Sequence, residues 1–206
     1  YQEIAEEEQL VSKGLEALKD LKCETTDGHT VALWVNTGLA SDASRSLDHG
    51  AEGVGLYRTE VPFLMRDRFP SEEEQRAIYR MHLEAFAPNP VTMRTLDIGG
   101  DKSLSYFPIE EDNPFLGWRG IRITLDHPEI FLPQLRAMMK ANVGIENLGI
   151  MLPMISHMGE IDESMKLIRR AHSELLDEGF DVPLPPVGVM IEVPAAVCLA
   201  GEIASR

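Results

Sequence analysis

Three charged residues stand where apolar runs end, and their types suit a small anion. Arg58 closes the run Gly53–Arg58 and is followed by Thr59 and Glu60. Arg94 lies near the end of the run Val91–Leu96, ahead of Asp97 and Lys102, and Glu192 lies in the run Val187–Val193. Arginine presents a planar, permanently charged fork that matches phosphate or carboxylate. Two arginines converging on one mouth repel each other unless an anion is supplied. A carboxylate in the same mouth either neutralises them or holds a divalent cation through its oxygens. The competing reading is that Arg58 and Arg94 pair with Glu60 and Asp97 as ordinary ion pairs. Glu192 carries more weight, because an ionised glutamate on an apolar strand is seldom fully buried unless paired.

Other motifs fail on inspection. Gly99-Gly100-Asp101-Lys102-Ser103 resembles the end of a phosphate loop, but no glycine stands between Arg94 and Ile98 where one is required. Gly53-x-Gly55 lacks a third glycine and follows a helical pattern, which argues against a dinucleotide fold. No G-x-S-x-G elbow occurs. The six histidines (29, 49, 82, 127, 157 and 172) form no H-x-x-x-H pair, so a histidine zinc site has little support. Cys23 and Cys198 form no C-x-x-C motif, which argues against a disulfide framework and for an intracellular chain. The ten methionines read as core filler, with Met151 and Met154 in a strand run.

These residues need a scaffold, and composition allows one. The chain has 206 residues, 44% hydrophobic and 26% charged, which suits a folded domain or a little more. Its net charge of −15 argues against a nucleic-acid or anionic-membrane surface. It does not exclude a small anion, which responds to the local field. No apolar run approaches the roughly 20 residues of a membrane span. The acidic N-terminus has no signal-peptide pattern.

The pattern predicts an acidic helix over 3–22, then alternating strands and helices. Strands are expected at Thr30–Val35, Gly53–Arg58, Val91–Leu96, Leu148–Met154 and Val187–Val193. Helices are expected at Ser41–His49, from Ser71 to about Ala87, at Leu116–Thr124, Pro128–Ala141 and His157–Gly179, with another beginning at Pro194. Ser71 with Glu74 makes a capping box. Gly99–Pro114 reads as loop. Strand–helix alternation implies a parallel sheet, and near-continuous apolar runs suit strands covered on both faces. An open doubly wound sheet and a (β/α)8 barrel both fit, and both place ligands at the carboxyl ends of the strands.

Four segments at those ends resemble the phosphoenolpyruvate-utilising enzymes: GAEGVGLYRTE (50–60), MRTLDIGGDK (93–102), NPFLGWRGIR (113–122) and GVMIEVPAA (188–196). Within that family the chain resembles Enzyme I of the bacterial phosphotransferase system. Residues 62–75 and 183–194 resemble its nitrogen-related paralogue. The resemblance implies a linker segment over 1–29 and a phosphoenolpyruvate-binding (β/α)8 (TIM) barrel domain over 30–206. About five βα units are present, so the barrel is incomplete. It implies a cytoplasmic homodimer that moves a phosphoryl group from phosphoenolpyruvate to a histidine of its own N-terminal domain, then to a histidine phosphocarrier protein. Arg58 and Arg94 would hold the phosphate, and Glu192 would be one of two Mg²⁺ ligands. Asp97, Lys102, Arg119 and Arg122 would support the site.

The family's second metal ligand, its proton-donating cysteine and its phosphorylated histidine lie in motifs that these 206 residues do not contain. Cys198 does not match the cysteine motif, and none of the six histidines inherits the transfer role. The expectation is therefore a fragment with no catalytic residue of its own, inactive alone. Two alternatives stay open: a dimerisation or regulatory module with a decayed site, and a relative of pyruvate phosphate dikinase or phosphoenolpyruvate synthase. Five strands cannot close a barrel, so strands one and five should be open edges, covered by oligomerisation or exchange.

Overall fold

The computed structural model describes residues 21–38, 42–100, 102–113 and 117–206, together with Gly14 and Leu18. Five parallel strands form one sheet: β1 (Val35–Thr37), β2 (Val54–Arg58), β3 (Val91–Arg94), β4 (Leu148–Leu152) and β5 (Val187–Val189). Between and after them run α1 (Asp42–Asp48), α2 (Val61–Leu64), α3 (Glu72–Phe86), α4 (Ile121–Asp126), α5 (Pro128–Asn142), α6 (Met158–Asp177), α7 (Pro194–Cys198) and α8 (Ala200–Ile203). Among the described residues no helix is long and apolar enough to cross a membrane.

Spatial strand order follows chain order without reversal. Right-handed crossovers in that order put successive helices on one face of the sheet, whereas a doubly wound sheet reverses at a switch point. The sheet is thus that of a partial (β/α)8 barrel, and the open alternative is excluded. Among the described residues β1 pairs only with β2, and β5 only with β4. Both are open edges, as the strand count implied.

The helix-facing side of the sheet carries the core. Tyr57, Val91, Met93, Leu148, Ile150 and Leu152 pack against residues of α3, α5 and α6, including Leu83, Phe86, Leu135, Met138 and Ile168. The other face differs from the expectation of strands covered on both sides. Gly55, Thr92, Gly149 and Met151 are only half-buried there, and Gly188 is exposed. Burial therefore alternates along β4, as it does when one face is packed.

Helix α3 shows how local chemistry sets a boundary. The Ser71 hydroxyl accepts from the Glu74 N–H at 3.3 Å, and the Glu74 carboxylate accepts from the Ser71 N–H at 2.8 Å. Hydrogen bonds from Arg68, the Ser71 backbone and Arg66 hold the Glu74 carboxyl well below the usual range. Arg136 of α5 then ties the helices together, reaching Glu72 at 2.9 Å, Glu174 at 3.2 Å and Glu178 at 2.6 Å.

Several boundaries differ from expectation. The first strand starts at Val35 instead of ending there. Residues 23–31 close a local turn through Thr25 N–His29 O and Val31 N–Cys23 O, leaving Val31, Leu33 and Trp34 exposed. Val61–Leu64, for which the pattern predicts no helix, is a short helix. Helix α4 begins only at Ile121, because Gly120 before it has φ 55° and ψ −123°. Met154, at φ 57°, lies outside β4 and not in the strand run. The last strand stops at Val189, and the terminal helix is two short ones broken at Leu199. The acidic helix over 3–22 lies almost wholly outside the described residues, as do Ser41 and Leu116.

Replacing Ser71 with Ala removes the cap from α3 and should lower stability by about 1 kcal/mol. Urea unfolding followed by circular dichroism would measure it; an unchanged midpoint would show that the cap is dispensable.

Candidate functional site: an ionic cluster at the strand ends

Arg58, Arg94, Met151 and Gly188 occupy one register row across β2 to β5. They therefore share a face of the sheet. Gly188 leaves open space where a side chain would stand. Just beyond this row the chain gathers five charges. Arg94 Nη2 donates to Glu60 Oε1 at 2.7 Å and lies 3.2 Å from Asp97 Oδ2. Lys102 Nζ reaches the same Glu60 oxygen at 2.7 Å and Asp97 Oδ2 at 3.1 Å. Arg119 donates to Asp97 at 3.2 and 3.3 Å. Among the described residues, two carboxylates face three cations.

Burial makes this cluster consequential. Asp97 is 1% exposed, Glu60 2% and Arg94 6%. Burial alone would raise the Asp97 pKa. The Arg119 hydrogen bond and the charges of Arg94, Lys102 and Arg119 overcome that and hold the carboxyl below its ordinary value.

Backbone geometry delivers these groups. The Gln134 side chain of α5, fully buried, accepts from Leu96 N–H at 2.9 Å and donates to Thr59 Oγ1 at 3.2 Å. Thr59 in turn donates to the Arg94 carbonyl at 2.7 Å. One amide so clamps the chain beside Glu60 to the chain beside Asp97. Gly99, at φ 109°, turns the strand exit back on itself, and Lys102 follows. A Cβ on Gly120 would stand 2.9 Å from Met154 Cγ and 3.1 Å from Asp97 Oδ1, so only glycine allows the approach. Beneath the loop after β3 lies a second apolar cluster built on Phe63, Leu96, Ile98, Leu104 and Ile123.

The expected residues separate into three groups. Arg94, Asp97, Lys102 and Arg119 meet in the cluster. Arg58 is exposed and has no ion-pair or hydrogen-bond partner among the described residues, so the competing reading of two ordinary ion pairs holds for Arg94 alone. Arg122 lies apart, donating to the Gly117 carbonyl at 2.7 Å and facing Glu160 at 3.8 Å. Glu192 is exposed, not buried, and its Oε1 accepts the N–H of Met154 at 2.8 Å. Among the described residues no group of three His, Cys, Asp or Glu gathers for a metal. Glu60, Gln134 and Met154 belong to the site and carried no site role in the sequence. Glu60 was visible only as a pairing partner, and Gln134 had no signal at all.

A native pKa held below the unfolded value of about 3.9 has a definite consequence. The contribution of Asp97 to stability is complete above that value and is lost as pH falls toward the native pKa. The wild-type urea midpoint should therefore fall more steeply below about pH 4 than that of Asp97→Asn. At neutral pH the variant should be the less stable, since its three cations then face one carboxylate. Parallel acid limbs would show that Asp97 is not linked to folding.

Comparison with known proteins places this geometry. Residues 12–206 match the family model described as PEP-utilising enzyme, PEP-binding domain. The chain is 46% identical over 207 residues to the phosphoenolpyruvate-dependent phosphotransferase system protein of Escherichia coli (strain K12). It is 44% identical over 208 residues to the phosphoenolpyruvate-protein phosphotransferase of Staphylococcus carnosus (strain TM300), and 42% identical to that of Staphylococcus aureus. All of this chain is covered in each case, but only 28% of the Escherichia coli protein and 36% of the staphylococcal ones. A family match over nearly the whole chain, on a singly wound parallel sheet with cations gathered at its strand ends, shows that the chain belongs to the PEP-binding domain family of PEP-utilising enzymes.

Proposed function

We propose that this chain recognises the phosphate of phosphoenolpyruvate within a longer phosphoenolpyruvate–protein phosphotransferase. The observation that supports it most directly is an exposed Arg58, without an ion-pair partner among the described residues, in register with Arg94 beside the buried cations Lys102 and Arg119. Phosphoenolpyruvate is a compact polyanion. Phosphoryl transfer asks a protein chiefly for positioning and charge stabilisation. Arg58 and Arg94 bind the phosphate. Arg94 Nη2 is committed to Glu60 and Asp97, so its Nη1, now 3.8 Å from Met190 Sδ, is the arm that faces a ligand. Asp97, Lys102 and Arg119 hold that arm in place, and Arg122 braces the loop at Gly117.

Glu192, whose Oε1 accepts the Met154 N–H, would supply one Mg²⁺ ligand. Mg²⁺ neutralises phosphate charge when bound. One carboxylate is not a complete ligand set, and the remaining ligands come from outside these residues. The parent protein passes the phosphoryl group to a histidine of its own and then to a histidine phosphocarrier, in nitrogen-related regulation. It works as a cytoplasmic homodimer, and the chain alone is inactive. Apolar Leu33, Trp34, Ile191 and Val197, exposed near the sheet edges and in α7, support burial of those edges in the parent.

Radiolabelled phosphoenolpyruvate offered to the full-length parent with its carrier tests this reading. Label should reach the carrier. Arg58→Ala should raise KM for phosphoenolpyruvate about 10- to 100-fold, the scale of a lost charge-assisted hydrogen bond. Glu192→Gln should raise the Mg²⁺ concentration needed for half-maximal rate. An assembled parent that never takes up label would favour a scaffolding role.

A further inference from the structure

The geometry points to Glu60 as a positioning residue that aims Arg94 and Lys102 at the anion. The inference rests on the phosphate-binding reading above. Glu60 lies two residues past β2, and its carbonyl accepts from Phe63 and Leu64 of α2 at 3.0 and 2.9 Å. Its main chain is thereby fixed, and its side chain turns inward, 2% exposed. A single oxygen, Oε1, receives both Arg94 Nη2 and Lys102 Nζ at 2.7 Å. The other oxygen, Oε2, is buried and has no hydrogen-bond partner among the described residues; Arg94 Nε is in the same position. One atom of Glu60 therefore bridges two cations.

The arrangement differs from simple neutralisation. Asp97 already faces Arg94, Lys102 and Arg119. A second carboxylate lowers the charge available to an anion, which on electrostatics alone weakens binding. What Glu60 adds is orientation. With Nη2 tied down, the Arg94 guanidinium cannot swing, and Nη1 stays on the side of Met190. Lys102, at 24% side-chain exposure, is the outermost cation and the one that can turn to a ligand. Arg94 keeps its own bond to Glu60 when it does so. Orienting a reacting group matters steeply, since a misplacement of about 1 Å can cost on the order of 100-fold in rate.

The two roles predict opposite results for Glu60→Gln in the full-length parent. Neutralisation predicts a lower KM for phosphoenolpyruvate, because one negative charge beside Arg94 and Lys102 is removed. Positioning predicts that kcat/KM, per folded protein, falls on the order of 100-fold, mostly in kcat. Glu60→Asp keeps the charge but shortens its reach, so it should leave KM near the wild-type value and kcat reduced. In a double-mutant cycle with Lys102→Met, the combined loss should be smaller than the product of the single losses. Unchanged kcat with equal or lower KM in Glu60→Gln would overturn the inference, as would multiplicative losses in the cycle. Should Glu60→Gln fail to fold, Glu60→Asp decides, and full kcat in that variant overturns it. Should the wild-type parent not act on phosphoenolpyruvate, the functional reading fails. Titration calorimetry with inorganic phosphate then judges Glu60 separately: weaker binding by Glu60→Gln supports its role, and equal or tighter binding refutes it.

Discussion

Glu60 and Asp97 are taken out of water, and taking a carboxylate out of water costs several kcal/mol. Arg94, Lys102 and Arg119 offset that cost only if their donors arrive within hydrogen-bonding distance, as they do. The remainder of the site follows from this requirement. β2 and β3 must end side by side, the loop after β3 must return Lys102, and Gly120 must let the chain pass Asp97 without a side chain. Gln134 reaches from the helix layer to hold the two strand exits together. Met154 is held in a left-handed conformation with its N–H on Glu192, the kind of local strain that surrounding structure must sustain.

The same requirement explains the two unequal faces of the sheet. The helix side is packed with large apolar residues and braced by the ion pairs of Arg136 across α3, α5 and α6. It gives the strands a rigid base. The opposite face, with Gly55, Gly149 and Gly188, leaves room above the row that carries Arg58 and Arg94. A site built on the ends of packed strands holds its geometry better than one built on free loops.

Much of the scaffold was legible because its signals are local. The capping box at Ser71, the break at His127-Pro128 and the period of α6 each depend on residues within a few positions of one another. Arg94, Asp97 and Lys102 stood out as polar residues at a strand end, and Arg119 came from the resemblance alone. The misreadings share a different cause. Val31, Leu33 and Trp34 look like strand, yet the ladder begins only at Val35, where β2 offers its partners. Glu192 looked buried because its neighbours are apolar, but β5 is an edge and the residue is exposed.

The sequence by itself determined which residues could bind an anion, the alternation of strands and helices, and the resemblance to phosphoenolpyruvate-utilising enzymes. Those depend on residue type and short-range spacing. Only the tertiary structure decided that the sheet is singly wound, that Glu60 pairs with Arg94 and leaves Arg58 free among the described residues, and that Arg122 stands apart from the cluster. The pairs of Glu60 are set by distances between elements 34 positions apart for Arg94 and 42 for Lys102. No local pattern carries that information, because several cations compete for each carboxylate until packing fixes which of them can reach it.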